Sequence, residues 1–102
     1  MAYADVYATA RDATFVGRVY IAIREVARDV AAESGATPLH SHRLTLAKAV
    51  LRDTDTWANV AALLLAEAGR TTGSTDAVIK SSITAGWDSV VREVYWGGSD
   101  IA

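Results

Sequence analysis

Between Asp12 and Gly35 the apolar side chains recur with the period of an α-helix, and this stretch constrains the chain more than any other. At 100° per residue, Phe15, Val16, Val19, Ala22, Ile23, Val26, Ala27 and Val30 fill one half of the helical circumference. Arg18, Arg24, Glu25, Arg28 and Asp29 fill the other. So wide an apolar arc suits a central helix contacted from two sides. The expected helix covers 12–34, with Asp12 as N-cap and Gly35 at the C′ position.

Breakers divide the rest of the chain into further helical blocks, without strand-like alternation or a hairpin signal. Residues 5–11 make a short first helix or the first turns of a longer one. Pro38 belongs to a connector or the first turn of a helix over 40–52, whose apolar face is Leu44, Ala47, Val50 and Leu51 with Leu46 at its edge. Asp53-Thr54-Asp55-Thr56 reads as a stop followed by a new N-cap, Asp55 or a neighbour, for a helix over 55–68 closing at Gly69. In that helix Trp57, Val60, Ala61, Leu64, Leu65 and Ala68 share a side, yet Leu63 and Ala66 leave the opposite side only weakly polar. An element apolar nearly all round takes a central place or meets a partner subunit. After the loop at Gly69–Gly73, Ser74 or Thr75 caps a last helix over 75–95, with Asp76 in its first turn. Gly86 interrupts that helix at a cost of ~1 kcal/mol relative to Ala. It is expected to permit close helix approach or to make room for Trp57 or Trp87. The predicted fold is all-α: a compact bundle of four main helices in a single domain over 1–102. Residues 95–102 read as helix end plus a flexible or partner-ordered tail.

Composition sets the outer bounds. A chain of 102 residues makes one domain, and 51% hydrophobic content argues against disorder. Zero cysteines exclude a disulfide scaffold, a zinc finger and a thiol nucleophile. The net charge of -2 argues against strong nucleic-acid binding. Met1-Ala2-Tyr3-Ala4-Asp5 lacks the basic and apolar regions of a signal peptide. The longest apolar run, 60–66, falls far short of the ~20 residues that cross a bilayer, so no membrane partner is expected.

No catalytic, cofactor-binding or metal-ligating set emerges, and the chain is expected not to be an enzyme. His40 and His42 stand at i, i+2, on different faces of a helix. Asp53 and Asp55 lack the Gly and Glu that would complete a calcium loop, and are better read as capping groups. The Gly/Thr-rich loop at 69–75 is not followed by the Gly-Lys-Ser/Thr of a phosphate-binding loop.

Two residues break the pattern of their helices. Arg43 falls inside an apolar arc, where a guanidinium requires a carboxylate or carbonyl partner. It reads as an internal strut, to Asp76 or another acid, or as a contact between subunits. Ile21 is the converse, an apolar residue on a polar face. Residues 1–52 carry seven basic and five acidic groups, net +2, and residues 53–102 carry three and seven, net -4. Opposite halves suit head-to-tail subunit contacts, and equally the pairing of one chain's own halves. The candidate interface residues are Ile21, Arg43, Leu63, Tyr95, Trp96 and Ile101.

Four segments occur in a familiar order: Tyr3-Ala-Asp-Val-Tyr7, Gly17-Arg-Val-Tyr-Ile-Ala-Ile23, His42-Arg-Leu-Thr-Leu-Ala-Lys-Ala-Val-Leu51 and Ser74-Thr-Asp-Ala-Val-Ile79. This layout resembles small proteins from the structural gene clusters of tailed bacteriophages. In those, a Tyr-rich start precedes a long Ala/Val helix, then an Arg-Leu-x-x-Ala-Lys-Ala-Val-like segment and a Thr-Asp-x-x-Ile-like helix start. The likeness covers most of residues 3–94, and the Tyr95-Trp96-Gly97-Gly98 ending has no counterpart in it. It implies a non-catalytic virion component made in the host cytoplasm: a many-copy head-to-tail connector, neck or capsid-associated protein, without cofactor. Its implied partners are copies of itself and portal, connector, capsid or tail proteins. The alternative is a small helical DNA-binding or regulatory protein, with 40–52 as its recognition helix.

Overall fold

The computed structural model describes residues 3–96, which form five helices: α1 (Tyr3–Ala10), α2 (Ala13–Ala31), α3 (Pro38–Arg52), α4 (Thr54–Glu67) and α5 (Asp76–Trp96). No strand occurs among the described residues, and the fold is an all-α bundle. The four long helices lie where the periodicity puts them, and α1 is a separate short helix before α2.

Side-chain caps set most of the boundaries. The Asp12 carboxylate accepts the Phe15 backbone N–H at 2.8 Å. Thr37 accepts the N–H of His40 at 3.1 Å, which places Pro38 at the start of α3, where its missing donor costs nothing. Asp53 ends α3 and caps α4, accepting the Thr56 N–H at 3.4 Å, so α4 begins one residue before the expected start. Thr75 caps α5 by accepting the N–H of Val78 at 3.2 Å. At the end of α4, the Gly69 N–H donates to Ala66 O and the Arg70 N–H to Leu65 O. This paired closure uses a left-handed residue, and Gly69 supplies it with φ +84°.

The end of α2 departs from the expectation. The helix stops at Ala31, and the Ala32 N–H is shared between Arg28 O and Asp29 O. Gly35 is therefore not its C′ residue. It lies under the His40 ring, where a Cβ would come within 2.8 Å of Cγ.

Helix α2 is the central element, packed by α3, α4 and α5. Phe15, Val19 and Ala27 are fully buried along it, and meet Ala47 of α3, Ala58 and Ala62 of α4, and Ile79 and Val91 of α5. Helix α4 is covered on two sides. Ala58, Ala62 and Leu65 turn to the main core, while Ala66 joins Val6 and Ala10 of α1 in a second small cluster. Small residues suit α4 to close neighbours on both sides. Its third side is left open.

Candidate interaction surface

The open side of α4 forms one wall of an apolar groove of about 210 Å³. Trp57, Ala61 and Leu64 of α4 face Ile83, Gly86 and Val90 of α5, with Ile23, Leu46 and Val50 contributed by the helices behind them. Val60 and Leu64 are 42% and 45% exposed, a large apolar surface for a lone helix. A Cβ at Gly86 would meet nothing within 4 Å. The glycine therefore does not serve a close helix approach, and borders the empty space of the groove instead. Trp87 is 3% exposed, and its indole Nε1 has no hydrogen-bond acceptor. Such an orphaned donor costs about 1–3 kcal/mol.

Several charged side chains are engaged where α5 and the loop before it meet α2 and α3. Arg43 Nη2 donates to Glu33 Oε1 at 2.9 Å, and its Nη1 donates to Asp88 Oδ1. Burial works against the guanidinium charge, but the hydrogen bonds to Asp88 and Glu33 outweigh it and raise the pKa above the ordinary arginine value. Arg18 Nε donates to Asp76 Oδ1 at 2.8 Å, its Nη1 to Thr72 O at 2.6 Å, and its Nη2 to Ser74 O. Lys80 pairs with Glu25 at 3.3 Å and Asp29 at 3.5 Å. In the Arg18–Asp76 and Arg43–Asp88 pairs, cations of residues 1–52 meet acids of residues 53–102 within one chain.

The candidate interface residues are dispersed by the fold. Arg43 is the internal strut, with Asp88 and Glu33 as its acids, while Asp76 goes to Arg18. Leu63 is half-buried against Val6, Ala10 and Ala66, so α1 covers the side of α4 that the sequence left unexplained. Tyr95 lies within α5, packs against the core and stacks on His42 with ring centroids 4.5 Å apart. It does not belong to a loose tail. Ile21 is 61% exposed. Ile101 and the side chain of Trp96 lie outside the described residues, as do 97–102.

Sequence reasoning missed the groove. Its signals were there, in the all-round apolarity of α4 and in Gly86, but which side of α4 stays open depends on where α1 docks. Among the described residues no three His, Cys, Asp or Glu gather as a metal set, and no helix is long and apolar enough to cross a membrane. No family model, no curated protein and no solved structure matches the chain.

Proposed function

We propose that the chain is a non-catalytic, many-copy structural component of a tailed-bacteriophage particle, at the head-to-tail connector, the neck or the capsid surface. The observation that carries this reading is the open α4–α5 groove with Val60 and Leu64 at its margin. An apolar groove of this kind, on an otherwise well-packed small domain, suits contact with an apolar side chain of another protein. The order of the four sequence segments supplies the phage setting.

The regulatory alternative depends on a basic recognition helix. Helix α3 exposes Lys48 and Arg52, while Arg43 is engaged by Glu33 and Asp88, which leaves few cations for phosphate contacts. Mass spectrometry of purified particles from the phage that carries the gene tests the proposal. The chain should be recovered at many copies per particle. Its absence from particles, together with salt-sensitive duplex binding by the purified chain, would overturn the reading in favour of the alternative.

A further inference from the structure

Three features that each cost stability meet at one place, between α4 and α5. Gly86 lies in mid-helix, where alanine has the better propensity, although a Cβ there would meet nothing within 4 Å. Val60 and Leu64 keep apolar surface in water. The indole N–H of Trp87, whose ring helps to line the groove, is buried without an acceptor. Sequences break several such rules together where a site is built, and a buried donor without a partner calls for one.

The space has the depth of a pocket. Helices α4 and α5 are consecutive, yet both lean on α2 and touch one another little. The gap between them therefore reaches down to Ile23 of α2 and to Leu46 and Val50 of α3, all three buried core side chains. Its volume is about 210 Å³. An apolar cavity of roughly 150 Å³ already takes up benzene, and the space between the helices of a bundle is a common place for a ligand.

The lining selects the chemistry of the occupant. Its side chains are apolar apart from the Trp87 N–H and Ser82, whose hydroxyl accepts from Arg70 Nε at 3.1 Å. Water is a poor acceptor for this N–H, because a water held against apolar walls needs about two to four polar partners. Charge of either sign is disfavoured. A cation finds no acid among the lining side chains. An anion is repelled by the exposed Asp53, Glu67 and Glu93, each one helical turn from a groove residue, with Arg70 to offset them at one end.

We infer that the α4–α5 groove binds a compact, uncharged small molecule, an aromatic or branched aliphatic carrying one hydrogen-bond acceptor. Its apolar body lies on Ile23, Leu46 and Val50, and its acceptor takes the N–H of Trp87. Val60 and Leu64 remain at the margin beside it. The site belongs to the isolated chain and does not depend on the particle reading.

Acetophenone and α-methylstyrene are a matched pair of probes, alike in shape but differing in a carbonyl oxygen against a methylene. Each is titrated into the purified full chain and followed by proton–nitrogen correlation spectra, with the indole signals assigned from Trp57→Phe and Trp87→Phe. Both probes should give saturable shifts at the amides of Val60, Ala61 and Gly86. Only acetophenone should move the Trp87 indole proton downfield, because a hydrogen bond deshields it. Trp87→Phe should weaken acetophenone by about threefold to tenfold relative to α-methylstyrene, a ratio that cancels changes in shape and hydrophobicity. Gly86→Leu, which fills the groove, should bind neither probe. Far-ultraviolet circular dichroism checks that each variant folds. No saturable shift with either probe, the same response of the Trp87 proton to both, or undiminished binding by Gly86→Leu would each overturn the site. Binding by a chain absent from purified particles would keep this site and remove the particle reading; a chain recovered in particles that binds neither probe would do the reverse.

Discussion

Arg43 of α3 joins Asp88 of α5 to Glu33, just beyond the end of α2, so one guanidinium ties three parts of the bundle together. The Arg43 side chain is only 19% exposed, while both acids are about two-fifths exposed and keep contact with water. Solvent therefore screens the pairs, and the stabilisation is far below that of a fully buried ion pair. Arg43→Ala should cost about 1–2 kcal/mol, through lost hydrogen bonds and lost packing of the aliphatic stem. Arg43→Leu should cost less, because it refills the apolar arc and leaves the acids half in solvent. Denaturant melts of both variants check the order; equal losses would show that charge alone matters.

The two tryptophans should separate sharply. Trp87 is buried in the main core, and Trp57 is half-buried on the groove wall. Trp87→Ala should cost about 3–5 kcal/mol by leaving a cavity, whereas Trp57→Ala should cost about 1–2 kcal/mol, since its site already opens to solvent. Thermal unfolding of each variant decides it.

Gly86→Ala should raise stability by about 0.5–1 kcal/mol. The position is helical, a Cβ there meets nothing within 4 Å, and alanine has both the better helix propensity and the smaller unfolded-state entropy. A destabilised variant would mean that the glycine serves a close contact after all. Chemical denaturation at constant m reads the difference.

At Lys80 the relevant condition is alkaline pH. Its hydrogen bond to Glu25, with the charge of Asp29 beside it, holds the ammonium pKa above the ordinary value of 10.5. A pKa raised by folding stabilises fully below the unfolded value, and that contribution is lost as pH rises through the folded one. The stability difference between wild type and Lys80→Met should thus be constant near neutrality and shrink above about pH 10.5. Parallel melts of the two proteins across that range cancel other alkaline titrations.

The residues legible in the sequence are those whose signals are local. Asp12, Thr75 and Gly69 mark helix ends through their own side chains or φ, and the apolar period from Phe15 to Val30 identifies the central helix without reference to its neighbours. The end of α2 was not legible, because Ala32-Glu33-Ser34 is composed like a helix and Glu33 is held instead by Arg43 from the next element. Arg43 itself stood out as a cation within an apolar arc. Its partners did not, since Asp88 looked like any outward carboxylate. The groove was hidden for the same reason: Gly86 has one meaning where helices touch and another where they part, and only the packing of α1 and α5 on α4 decides which applies.

Arg18 offers the clearest separation of charge from geometry. Its guanidinium donates to the carboxylate of Asp76 and to the carbonyls of Thr72 and Ser74, tying the α4–α5 loop to α2 at the point where α5 begins. The ion pair itself contributes little, because Asp76 is largely exposed. The two carbonyls are different: they are fixed backbone acceptors that a planar fork can meet together. Lysine keeps the charge but has one nitrogen on a flexible stem, so it cannot serve all three acceptors at once. Arg18→Lys should therefore lose nearly as much as Arg18→Ala, about 1–2 kcal/mol, and Asp76→Asn should lose less than either. The loop should register the change directly. Amide hydrogen exchange across 70–76 should accelerate in both Arg18 variants while the amides of α3 keep their protection. If Arg18→Lys matches the wild type in melting and exchange, charge rather than fork geometry holds the loop.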